Sequence, residues 1–203
     1  MTSRLGKLLP LRQSSTVTAD LSDEALLAAC GTGDPAALSE LFARYADAVH
    51  RFLGRLRGAD ARDLEDLLQR TFLEALRSLD RFRGQASPRS WLFGIAANVV
   101  RHHVRAEVRR RSFLDGLARA GHAPFPGPAE AVERRQLAQR LSDALDELPD
   151  DLRVPFVMCD VEGLPGLEVA RVLDLREGTL WRRLHEARSR LRRSLRGEDE
   201  NAR

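Results

Sequence analysis

The sequence is poor in lysine, cysteine, aromatic residues and long apolar runs. Lys7 is the only lysine among 33 basic residues in a chain of 203. Arginine therefore carries nearly all the positive charge, and its planar fork suits phosphates and guanine edges. A GC-rich codon bias accounts for the ratio, but not for where the arginines cluster. Two cysteines, Cys30 and Cys159, exclude a disulfide framework, and the missing C-x-x-C spacing argues against a structural zinc site. Each lies in an apolar helical context and is expected to be a buried free thiol. Aromatics make up only 5% of residues, so the core must be Leu, Ala and Val, which favours helices over a β-sandwich. No apolar run approaches the ~18 residues of a membrane span. The N-terminal "MTSRLGKLLPLRQSSTVTAD" has no continuous apolar region of the kind a secretory signal needs. The expected compartment is the cytoplasm, without membrane insertion.

Catalytic signatures are missing too. The chain has no G-x-S-x-G, no phosphate-binding glycine loop, no H-E-x-x-H and no Cys/His pair. His102 and His103 are adjacent on a helix, so their side chains point about 100° apart and do not readily share a metal. The expectation is a non-enzyme without metal or cofactor.

What is present is helical periodicity and charge in blocks. Hydrophobic residues make up 43%, charged residues 31%, and the net charge is +3. Asp60, Asp63, Glu65 and Asp66 form an acidic knot, whereas the stretch from Arg182 to Arg196 holds seven arginines. Separated patches of opposite sign predict two kinds of partner, one of them anionic. Residues 1–19 read as an N-terminal arm and 20–111 as a first helical bundle. Residues 112–129, "SFLDGLARAGHAPFPGPA", read as a Pro/Gly-rich linker. A second helical domain over 130–197 and a tail over 198–203 complete an all-α, two-domain reading.

Within the first domain the spacing predicts a helix from Asp23 to Cys30 with Ser22 as N-cap. A second follows, capped by Asp34 with Pro35 at its first position. Its apolar stripe is Leu38, Leu41, Phe42, Tyr45, Val49 and Phe52, with Gly54 and Gly58 bracketing its end. A third helix runs from about Ala61 to Leu79. Ser87 and Pro88 open a fourth, with Trp91, Leu92, Ile95, Ala96 and Val99 as core. That helix turns cationic after Asn98, with five arginines between Arg101 and Arg111. In the second domain, Leu141, Leu145 and Leu148 precede a stop at Pro149. Pro155 lies in the next helix, and two short helices, Pro165 to Leu173 and Glu177 to Leu195, flank a break at Asp174. Val169, Ala170, Leu180 and Leu184 face each other with helix-turn-helix spacing. Arg176, Thr179, Trp181, Arg182, Arg183 and Arg188 fall outside that apolar stripe, as a DNA-reading helix requires.

Two stretches carry a family resemblance. "RDLEDLLQRTF" at 62–72 and "WLFGIAAN" at 91–98 resemble the second domain of bacterial RNA polymerase sigma factors of the extracytoplasmic-function (ECF) group. "LDELPDDLRVPFVM" and "GTLWRRLHEARSRLR" resemble the fourth sigma domain. The order agrees, and the resemblance covers about residues 21–196. It implies a promoter-specificity subunit of a stress- or signal-responsive regulon, with core RNA polymerase (clamp helices and flap), promoter DNA and an anti-sigma protein as partners. It implies polymerase contacts at Asp63, Asp66, Gln69, Arg70 and Phe72. On the -10 side it implies DNA contacts at Arg83, Asn98, Arg101, His102 and Arg105, with the loop "DRFRGQASP" pocketing an unstacked base. On the -35 side it implies Arg176, Thr179, Trp181, Arg182, Arg183 and Arg188. The chain departs from the pattern at Arg70, where the family has Glu, and at Gly166, Leu167, Asp174, Trp181, Arg182 and Glu186. Two rival readings stand beside this one: a helix-turn-helix regulator that needs no polymerase, and a degenerate sigma-like interaction protein.

Overall fold

The computed structural model of the chain describes residues 21–57, 63–82, 84–113 and 140–201. The arm, most of the linker and Arg83 lie outside the described residues, as do the side chains of Arg109, Arg110 and Arg111. Every regular element among the described residues is helical.

Helix α1 (Asp23–Gly31) starts where the Ser22 hydroxyl accepts from the Ala25 N–H at 3.2 Å. Helix α2 (Pro35–Arg57) starts where Asp34 accepts from the Ala36 N–H at 2.9 Å. Both caps satisfy donors that a first helical turn leaves open. Helix α2 runs to Arg57, past Gly54 and short of Gly58, as the bracket of glycines predicts. Leu41, Tyr45, Val49 and Phe52 are buried as the stripe predicts, but Phe42 is 45% exposed, its ring tilted against Phe72 at 4.9 Å. Helix α3 (Leu64–Arg77) buries Leu64, Leu67, Phe72 and Ala75. It also buries Thr71, which returns its hydroxyl to the Leu67 carbonyl at 2.7 Å. A short 3-10 turn (Leu79–Arg81) leads to the loop and to α4 (Pro88–Phe113).

Helix α4 departs from the expected stripe. Leu92 and Ala96 are buried, but Trp91, Ile95 and Val99 are only half-buried. Phe93, Ala97 and Val100 are buried as well. The reason is tertiary: α4 packs on α2 and α3 along one side and, along another, on the Gly166–Val172 helix (α7) of the second domain. The Phe93 ring stacks on Phe52 at 4.4 Å.

The described part of α5 is helical over 140–146. Helix α6 (Asp150–Phe156) contains Pro155 and widens into a π turn (Val157–Val161), an irregularity in keeping with the amide hydrogen that proline lacks. Helix α7 (Gly166–Val172) and α8 (Glu177–Asn201) form the helix-turn-helix. Asp174 holds the turn at φ 53°, a left-handed conformation that Asp tolerates better than most side chains. Leu180, Leu184, Ala187 and Leu191 bury α8 against α6 and α7.

The two domains are packed together into one contiguous apolar cluster. An added Cβ on Gly94 of α4 would lie 2.9 Å from the Val172 Cβ and 3.2 Å from the Val172 carbonyl of α7, so this close approach needs glycine. Polar contacts surround it. Glu162, its side chain only 7% exposed, receives both Arg55 of α2 and Arg89 of α4, the latter at 2.6 Å. Glu168 Oε2 accepts from the Ser87 N–H at 2.9 Å and the Ser87 hydroxyl at 2.8 Å, at the N-terminus of α4. Arg153, within the "LDELPDDLRVPFVM" stretch, donates to the carbonyls of Leu56, Asp146 and Leu148. One cation thus closes the ends of α2 and α5.

Candidate nucleic-acid interface

The candidate DNA residues of the second domain lie along α8 and, for Arg176, just before it. Arg176, Trp181 and Arg182 are exposed and Thr179 is half-buried. The other two predicted arginines are paired with carboxylates. Arg188 makes a two-point contact with Asp160, both distances 2.7 Å, and that hydrogen bonding holds its guanidinium above the usual arginine range. Arg183 is half-buried and 3.8 Å from Asp151.

On α4, Asn98, His102 and Arg105 are exposed and Arg101 is half-buried. His102 and His103 diverge as adjacent helical residues do. His103 pairs with Asp63 at 2.5 Å while His102 faces solvent. No cluster of metal-ligating side chains occurs among the described residues. In the loop before α4, Phe82 is half-buried against Trp91, ring centroids 5.1 Å apart.

Arg101 and Arg105 of α4 line the same cleft as Arg183 of α8. Its volume is about 480 Å³, and Asp150 and Asp151 complete its polar wall. Cationic side chains from the two domains thus converge on one crevice, lined in part by carboxylates.

Helix α3 presents Glu65, Asp66, Gln69, Arg70, Leu73 and Glu74 outward. Leu73 is 51% exposed amid charged and amide neighbours, the pattern of an interface centre with a polar rim. It escaped the sequence reading because it lies off the apolar stripe, and that displacement was the available signal. Of the predicted α3 set, Asp66, Gln69 and Arg70 share the outward face. Phe72 is buried beneath it, and Asp63 is engaged by His103 and by Arg57 at 3.4 Å.

Both thiols are free, Cys30 buried and Cys159 half-buried. Burial, with Asp160 nearby, pushes Cys159 up to about 11, and burial raises Cys30 too. Neither is poised as a nucleophile. No described helix is long and apolar enough to cross a membrane.

Comparison with known proteins agrees with this geometry. The Sigma-70 region 2 family pattern matches residues 41–110, spanning most of α2 to α4, and the Sigma-70 region 4 pattern matches 138–191, the α5 to α8 unit. ECF RNA polymerase sigma factor SigE of Mycolicibacterium smegmatis is 34% identical over 166 residues; these cover 79% of this chain and 63% of that protein, just under two thirds of its length. The ECF RNA polymerase sigma-E factor of Escherichia coli K12 is 30% identical over 176 residues, covering 83% of this chain and 91% of that protein. Among solved structures, the sigma factor RpoE of Bartonella quintana, in complex with the anti-sigma factor NepR, superposes with a TM-score of 0.62 at 25% identity. That match covers 76% of this chain and 94% of the other. Two sigma patterns in sequence order on two helical units, with 30% identity across 91% of an ECF sigma factor, show that this chain belongs to the ECF group of RNA polymerase sigma factors.

Proposed function

We propose that the chain docks on core RNA polymerase through the outward face of α3, with Leu73 at its centre and Asp66, Gln69 and Arg70 around it. Carboxylate, amide and guanidinium groups on one helix face complement charged partner helices. Asp63 acts here as a positioning residue, tying the start of α3 to α4 through His103. Asn98, His102 and Arg105, with Arg101 and the 82–88 loop, meet the -10 element. Arg176, Thr179, Trp181 and Arg182 meet the -35 element. Arg183 and Arg188 join them once released from Asp151 and Asp160. The flap is the polymerase partner of the second domain, an anti-sigma protein is the regulator, and the cytoplasm is the working compartment. The chain contributes recognition and DNA melting rather than bond chemistry of its own.

One observation carries this reading over that of an independent regulator. Arg101, Arg105 and Arg183 share a cleft of about 480 Å³ with two aspartates. A duplex whose major groove alone is ~12 Å wide cannot enter such a space to reach these three arginines together. They can meet one promoter only after the domains part, and a polymerase that holds the domains apart supplies that geometry and its effective concentration.

Reconstitution with core polymerase, followed by run-off transcription and mapping of start sites, tests the proposal. The reconstituted holoenzyme should initiate at defined promoters to which the free chain binds poorly. Failure to bind core polymerase would sink the proposal, and tight specific binding by the free chain would favour the independent regulator. Arg70→Glu addresses the degenerate reading: a large gain in initiation from a nearly inactive parent would support it.

A further inference from the structure

We propose that Trp181 reads the 5-methyl groups of thymines in the upstream promoter element, and that Gly166 is the residue that positions its ring. The inference rests on the promoter-binding role of α8 given above. Gly166, Leu167 and Trp181 are separate departures from the family pattern in the sequence. Folded, they form one constellation. Gly166 is the first residue of α7, and an added Cβ there would lie 3.0 Å from both Cη2 and Cζ2 of Trp181. The benzo edge of the indole therefore rests on the α7 backbone, on a seat that exists because position 166 has no side chain.

The ring is seated yet 53% exposed, and Leu167 beside the seat is 45% exposed. The ring pairs and the cation–ring contact found among the described residues do not involve Trp181. Its position follows the fully buried Leu180 in the first part of α8, the part of a recognition helix that reaches base edges. Gly178, one turn earlier on the same side, adds no side chain to shield it, and a Cβ there would meet nothing within 4 Å. Arg176 and Arg182, both exposed, supply positive charge along the same segment. The occupant this combination fits is a polyanion that presents an apolar group. In the major groove of DNA that group is the thymine methyl, and aromatic and other apolar side chains read it by direct contact.

The experiment uses holoenzyme assembled from core polymerase and the full chain. Initiation from a promoter library randomised in the upstream element should enrich thymine at one or more positions with the wild type, and W181A should lose that enrichment. Replacing such a thymine by deoxyuridine removes only the methyl group. It should lower open-complex formation about fourfold for the wild type, the worth of one buried methyl. W181F, which keeps the ring face and loses the indole N–H, should retain the penalty, and W181A should show none. G166A puts a better helix former into α7, so it should stay folded by thermal melting while its thymine-to-deoxyuridine ratio falls towards one. Equal use of thymine and deoxyuridine by the wild type, or the same ratio in W181A, would overturn the proposal. So would a W181A variant with weakened affinity for core polymerase whose holoenzyme, assembled at saturating chain, keeps the thymine preference, because that assigns the ring to a protein contact. A holoenzyme that initiates on no template refutes the sigma-factor role itself, and this inference with it.

Discussion

Glu162→Ala is the perturbation that most directly tests how the two domains are held. The Glu162 side chain is 7% exposed and accepts from Arg55 and, at 2.6 Å, from Arg89. Arg89 also donates to the Glu162 carbonyl at 3.3 Å, a contact the substitution keeps. Hydrogen bonds to charged groups contribute roughly 1.5–3 kcal/mol each in favourable settings. Here the two guanidinium side chains are 35% and 41% exposed, so after truncation they can turn to water. Solvent access discounts the loss to about 2 kcal/mol in total, which is about thirtyfold in the ratio of packed to separated domains. Urea denaturation should show that loss directly if the molecule unfolds in one step. If the domains part first, small-angle X-ray scattering should show a larger radius of gyration in E162A before secondary structure is lost. E162Q, which keeps an acceptor but not the charge, should fall between. A stability within about 0.5 kcal/mol of wild type, the range of ordinary surface changes, together with an unchanged radius of gyration, would refute the reasoning.

Leu92→Ala on the buried face of α4 should cost about 2–5 kcal/mol in chemical denaturation, since Leu92 is fully buried. Arg105→Ala on the exposed side of the same helix should leave stability within about 0.5 kcal/mol and lower run-off transcription; unfolding by the latter would contradict the division of the helix. Glu168 gives a pH dependence. Burial raises its carboxyl, but hydrogen bonds from Ser90 and Ser87, with Arg171 nearby, outweigh burial and hold it below the ordinary value of 4.5. A depressed carboxyl stabilises the folded state above its unfolded value, so the Ser87–Glu168 contribution should be present above pH 4.5 and lost as pH falls below it. The difference in stability between wild type and E168A should therefore narrow on acidification, and a difference constant down to pH 3 would contradict the assignment. Cys159, raised to about 11 from 9.0 by burial, should be alkylated far more slowly at pH 8 than a free thiol. Its contribution to stability should decline between pH 9 and 11 because the native state holds its proton longer. Rapid labelling of the native protein at pH 8 would rule this out.

The local elements were largely legible. Ser22 and Asp34 cap the helices that their residue types predict, and Asp174 takes the left-handed turn. Leu180 and Leu184 are buried at the helix-turn-helix spacing. The misreadings are tertiary. Phe42 sits on an apolar stripe, but its ring tilts against Phe72 of α3 and stays half exposed, whereas Phe93 is buried on Phe52 of α2 and Gly94 of the same helix meets Val172 of the second domain. Periodicity reports one buried face of a helix and is silent about the neighbours that cover its other faces. In the candidate site, the exposed places of Arg176, Trp181, Arg182, Asn98 and Arg105 followed from the pattern. The carboxylate partners of Arg183, Arg188 and Asp63's histidine did not, because Asp151, Asp160 and His103 are brought to them by folding.

Sequence alone determined the helical class, the two sigma patterns in order and the concentration of arginine on particular helices. These depend on residue type and on spacing within one or two turns, and both are local. Tertiary structure alone decided that Glu162 and Glu168 join the two domains, that arginines from both line one cleft, and that Gly166 seats Trp181. Each of these joins residues 15 to more than 100 positions apart in the chain, and neither propensity nor periodicity acts over that range; only the packing of whole helices brings such residues together.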